Sequence, residues 1–174
     1  FTLYTEMLER AVEAIRKGEM PDTEKPLSHG MEINLRVPAL LPEDYIYDVH
    51  SRLVLYKRIA AAKTNNELNA LQVELIDRFG LLPTAAKNLF AQTQLKLKAQ
   101  ELGIQKLDAH SSLGRFEFAS QPNVDPVIII KLIQQQPATF KLEGGNVLKY
   151  SAPMESVEER FKHIDNVLDQ LRSK

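Results

Sequence analysis

The stretch TFKLEGGNVLKYS, Thr139 to Ser151, decides the fold class. Two short runs of strand-forming residues flank Gly144, Gly145 and Asn146, residue types that tolerate the backbone angles of a tight reversal. The stretch therefore reads as a β-hairpin. Upstream, IQKLDAH (Ile104 to His110) and GRFEFAS (Gly114 to Ser120) read as another pair of strands, joined through Ser111, Ser112 and Gly114. Hairpin connections make neighbouring strands antiparallel. The expected class is α+β: a mainly antiparallel sheet with hairpins, flanked by several helices.

The flanking elements follow from period and punctuation. In MEINLRVP, Met31, Ile33, Leu35 and Val37 alternate with Glu32, Asn34 and Arg36, the period of a half-buried strand, and Pro38 ends it. Three helices come next. The first runs from about Val49 to Lys63, with Leu53, Tyr56 and Ile59 inward. The second runs from about Asn65 to Phe79, capped by Thr64 or Asn65, and the third from Thr84 after Pro83 to about Leu102, closed by Gly103. Asp125 and Pro126 open a helix through about Gln135. An amphipathic helix from Met154 to about Arg172 uses Val157, Phe161, Ile164, Val167, Leu168 and Leu171. At the start, FTLYTEMLERAVEAIRKG reads as a helix stopped at Gly18, followed by a linker rich in polar residues with Pro21, Pro26 and Gly30. The expected division is a connecting helix and linker over 1–25 and a domain over 26–174. Because Phe1 is not methionine, the chain reads as a segment of a longer protein.

Composition narrows the function. The 174 residues are 44% hydrophobic and 26% charged, which fits a packed domain. With 22 basic and 23 acidic residues the net charge is −1, so the chain as a whole lacks the electrostatic footprint of a dedicated nucleic-acid binder. There is no cysteine for disulfides or thiolate metal sites, and no apolar run long enough for a membrane span. The seven glycines do not form a phosphate-binding loop, and no nucleophile elbow occurs. His29, His50, His110 and His163 are far apart, and Asp108 beside His110 is too few ligands for zinc. No catalytic residue, cofactor site or metal site is expected, and the chain is not expected to be an enzyme.

Two surfaces remain. Arg52, Lys57, Arg58 and Lys63 on helix 49–63, with Lys87, Lys96 and Lys98 on helix 84–102, could form a basic face for a nucleic-acid accessory module. The other surface lies in ELIDRFG, Glu74 to Gly80. Leu75, Ile76 and Phe79 extend the apolar face of Leu68 and Leu71, while Glu74, Asp77 and Arg78 form a charged stripe. Glu74 can pair with Arg78 one turn later, as on any solvated helix. Asp77 has no cation three or four positions away, and so leaves a carboxylate for a partner to meet.

The strings EINLRVPALLPEDYI, LYKRIAAAKTNNEL and VELIDRFGLLP resemble the C-terminal domain of bacterial transcription-repair coupling factors, most densely between Met31 and Pro83. Tyr47 departs from that family's pattern, where proline is common before the helix, and beyond about Gly103 the likeness is loose. The resemblance implies a large cytoplasmic bacterial protein with a UvrB-like N-terminal module, an RNA polymerase-interaction domain and an ATP-driven DNA translocase. ATP, DNA and polymerase would thus belong to the parent protein. The resemblance implies that this domain is an autoinhibitory clasp. It would dock on the UvrB-like module and mask the UvrA-binding surface until the protein engages stalled polymerase. The docking residues would be Glu74, Asp77 and Arg78.

Overall fold

Both hairpins marked by the sequence form, and they supply most of one sheet. The computed structural model describes residues 31–172. Strand β2 (Ile104–Ala109) pairs antiparallel with β3 (Leu113–Phe118), and β4 (Phe140–Glu143) pairs antiparallel with β5 (Val147–Ser151). With β1 (Glu32–Asn34) they make a five-stranded sheet of order β1-β2-β3-β5-β4. The pair β1 and β2 is parallel. Between them the chain passes through helices, so no tight turn reverses its direction. The helices are α1 (Val49–Ala61), α2 (Asn65–Phe79), α3 (Thr84–Glu101), α4 (Pro126–Gln135) and α5 (Val157–Leu171). The expected helix and linker over 1–25 lie outside the described residues.

Local chemistry sets the ends. Helix α1 stops at Ala61, short of Lys63, because Ala62 is extended and Thr64 already caps α2 through Glu67 N–H. Helix α5 begins at Val157 rather than Met154. Ser156 there accepts from Glu159 N–H while the Glu159 carboxylate accepts from Ser156 N–H, a capping box that defines the first turn. Gly103 links α3 to β2 with φ +79, and a Cβ there would meet the Pro122 Cα at 2.7 Å, so glycine is required twice over.

The chain divides into two compact units. One, Pro38–Gln94, holds α1, α2 and the first half of α3; its buried side chains include Ile46, Leu55, Tyr56, Leu68, Leu75 and Phe90. The other joins the segment ending at Val37 to the chain from Leu95 onward and contains the sheet. Its core gathers Leu35, Leu107, Phe116, Phe140, Leu148 and the inner face of α5. In the sheet unit Arg160 is buried. Its guanidinium donates to the carbonyls of Met154, Glu155, Leu35 and Arg36, tying the exit of β1 to the entry of α5.

Candidate functional site

Helix α2 presents the charged stripe because both its ends are held. At the N-terminus Thr64 Oγ1 accepts from Glu67 N–H at 3.1 Å, and the Glu67 carboxylate accepts from Lys63 N–H at 2.8 Å. At the C-terminus Gly80 adopts φ +98, a conformation disfavoured for side-chain-bearing residues, while its N–H donates to Ile76 O at 2.9 Å. The Tyr45 hydroxyl donates to Gly80 O at 2.7 Å and to Leu75 O at 3.3 Å, and its ring packs beside Phe79. Burial raises the Tyr45 phenol above its ordinary pKa, which keeps this donor protonated.

With the ends pinned, Leu68, Leu71 and Leu75 point inward and are buried. Phe79 is half-buried. Ile76 corrects the expected apolar face: it is 41% exposed. It lies at the flank of the inward sector, where the neighbouring packing stops short of covering it. Glu74, Asp77 and Arg78 all lie on the solvent side, with Glu74 half-buried and the other two exposed.

The three charges are not equivalent. Arg58, from α1, grips Glu74 with two parallel bonds, Nη1 to Oε2 at 2.7 Å and Nη2 to Oε1 at 2.8 Å. The expected pair within α2 also forms, but more loosely, with Arg78 Nη1 at 3.3 Å from the same Oε2. The Arg78 guanidinium lies 4.8 Å from the centroid of the Phe79 ring. The hydrogen bonds from Arg58, with a smaller contribution from the one from Arg78, hold the Glu74 carboxyl down at about 2 against the desolvation that opposes its charge. Glu74 is therefore a fixed anion and not a proton donor near neutral pH. Asp77 has no hydrogen-bond or ion-pair partner among the described residues. The cluster can recognise charge; it has no arrangement for bond chemistry. Sequence reading missed Arg58 as a member of this site. Its position sixteen residues before Glu74, on a different helix, carried no signal that the two would meet.

The rival basic face fares differently. Arg52 is buried, and donates to Ile46 O and Tyr47 O. Arg58 is neutralised by Glu74. Burial pulls the Lys96 ammonium below its ordinary pKa. Burial also opposes the charge on Lys98, but hydrogen bonds to Asp165 and Asp169 more than offset this, so that its pKa rises. Arg52, Arg58 and Lys98 are thus engaged by partners within their own units. Asp108 and His110 likewise have local roles: Asp108 accepts two bonds from Arg36, and His110 Nδ1 accepts from Ser112 N–H.

Comparison with known proteins gives consistent matches. The family model described as the TRCF domain matches residues 35–129. The transcription-repair-coupling factor of Escherichia coli (strain K12) is 44% identical over 171 residues, covering 98% of this chain and 15% of that protein. The transcription-repair-coupling factor of Haemophilus influenzae is 43% identical over 99% of this chain and 15% of its own length. This chain thus spans about 15% of the length of these curated relatives. A crystal structure of the C-terminal domain of a transcription-repair coupling factor superposes with a TM-score of 0.66. It shares 21% identity and covers 83% of this chain and 96% of that one.

Proposed function

Since the chain belongs to the transcription-repair coupling factor family through its TRCF domain, we propose that it is a non-catalytic docking domain that holds its parent protein shut. Its contact is the solvent-side face of α2 carrying Glu74, Asp77 and Arg78, and its target is the UvrB-like N-terminal module of the same protein. Docking masks the surface that binds UvrA, and engagement of stalled RNA polymerase releases it. DNA binding and ATP turnover belong to the rest of the parent. The observation that carries this reading is that Asp77 and Arg78 are exposed on a helix whose ends and inner face are held by the fold.

A clasp of this kind has to close and reopen. Charged contacts contribute more to specificity and encounter than to raw affinity. A tether between the two parts raises their effective concentration, so weak contacts suffice to keep the clasp closed. Any state that binds the exposed module better then shifts the population.

The test combines this chain with the UvrB-like module of a coupling factor in isothermal calorimetry. Replacing Glu74, Asp77 and Arg78 together by alanine weakens their association, and in the full-length protein the same change increases UvrA binding. If both measurements match the wild type, the stripe has no docking role.

A further inference from the structure

The sheet unit leaves the edge of β4 open. Strand β4 ends the order β1-β2-β3-β5-β4, so among the described residues no strand pairs with its outer side. Ser151 N–H donates to Thr139 O at 2.8 Å, and the bonds of an antiparallel ladder alternate along the strand. Lys141 and Glu143 therefore bond to β5, while the main-chain groups of Phe140 and Leu142 turn outward. Gln136 O takes the Phe140 N–H, which leaves Leu142 with both its N–H and its C=O for another strand. Leu142 stands opposite the buried Leu148, yet it is 46% exposed, and it lines an apolar cleft with Ile130 of α4. Val127 and Ile130 are each 51% exposed, and with Leu142 they are the exposed large hydrophobic residues of this unit. On the other face of the sheet, Arg115, Lys149 and Lys141 stand directly opposite one another on adjacent strands. Glu143 serves Arg115 at 3.5 Å and Lys149 at 3.2 Å. Lys141, at the open end of this file of like charges, has no ion-pair partner among the described residues.

We propose that this edge joins two copies of the chain, by antiparallel pairing of β4 with β4 about a two-fold axis at Leu142. Leu142 then exchanges both main-chain bonds with Leu142 of the second copy. In each half Lys141 meets Glu143 of the other copy, the first carboxylate placed directly opposite it. The order lysine, leucine, glutamate is its own complement when the strand is reversed. A strand of another protein would have to match that order by coincidence, whereas a second copy carries it by construction. The apolar residues agree with this occupant. The axis is perpendicular to the sheet, so the sheet continues across it and both α4 helices, each packed on its own β4, lie on one face. Val127, Ile130 and Leu142 of the two copies then share one apolar strip beside the axis. A slip of one residue would turn every paired side chain to the wrong face, which fixes the register. This inference concerns the sheet unit and does not draw on the docking role of α2.

The experiment is sedimentation of this 174-residue chain at about 10 μM to 1 mM, the range in which a small interface associates. The 19.8 kDa chain is expected to approach twice that mass as concentration rises. Leu142→Lys sets two ammonium groups together on the axis and is expected to leave a monomer. Lys141→Glu and Glu143→Lys each put like charges opposite one another, and each is expected to weaken self-association at least about tenfold. Mixing those two variants restores opposite charges in both halves, and the mixture is expected to regain the wild-type affinity. Two misfolded variants could not rescue one another in this way, and thermal unfolding of each is recorded alongside. A wild-type chain that stays monomeric overturns the inference. So does a dimer that survives Leu142→Lys, or a mixture that associates no better than either variant alone. Amide exchange reads the edge directly: protection of Leu142 N–H is expected to grow with concentration. Protection that is independent of concentration assigns the edge to another segment of the same chain and overturns the second copy.

Discussion

At the scale of single residues the decisive fact is that Glu74 has two suitors. Helical spacing expects Arg78, but the shorter and better-aligned bonds come from Arg58. A bidentate guanidinium–carboxylate contact outcompetes a single bond along the helix because both oxygens are satisfied in one plane. The pairing has a pH signature. A carboxyl depressed in the folded state contributes stability that is fully present above its unfolded pKa and is lost as pH falls through the folded one. For Glu74 that window runs from the ordinary 4.5 down to about 2. In a carboxyl-carbon NMR titration, Glu74 is expected to titrate near 2, and Arg58→Ala is expected to move the midpoint up toward 4.5. A wild-type midpoint at the ordinary value means that the pair does not persist in solution. Tyr45 is the second such residue. Tyr45→Phe removes a hydroxyl that reaches the last carbonyls of α2, and is expected to cost about 1 kcal/mol in denaturant unfolding.

At the scale of elements, the two helices that matter most are held by different means. Helix α2 is defined by caps and by Gly80; helix α5 is defined by a capping box and by a buried arginine in its first turn. Ser156→Ala breaks the capping box and is expected to cost about 1 kcal/mol. Arg160→Leu is expected to cost more, at least about 2 kcal/mol, because it leaves buried carbonyls at the end of β1 and before α5 without donors. Urea denaturation of both variants checks the order, and Ser156→Ala costing more than Arg160→Leu would mean that the carbonyls find other partners. Arg160 stands at helical spacing from Ile164, Val167 and Leu171, on the inner face of α5. What the helical period does not report is its partners, since the Leu35 and Arg36 carbonyls reach it from a segment distant in the chain.

At the scale of the whole molecule, charge balance and fold act in the same direction. The chain is near neutral, and folding commits Arg52, Arg58 and Lys98 to internal partners. In fluorescence anisotropy, this chain is expected not to bind duplex DNA even at about 50 mM salt. Binding there that steepens as salt is lowered would restore the basic-helix reading. The hairpins, the α2 boundaries at Asn65 and Phe79, and the Asp125 cap of α4 were legible because turn chemistry and capping are decided within a few residues. The α+β class and the exposed positions of Asp77 and Arg78 follow from the same local rules. The parallel placement of β1, the outward turn of Ile76, and the bond between Arg58 and Glu74, sixteen positions apart, were not legible. Periodicity assigns each side chain a direction on its own element. Which groups end up opposite one another depends on distances that close only when elements pack, and that packing pairs Glu74 with Arg58 while Asp77 faces outward.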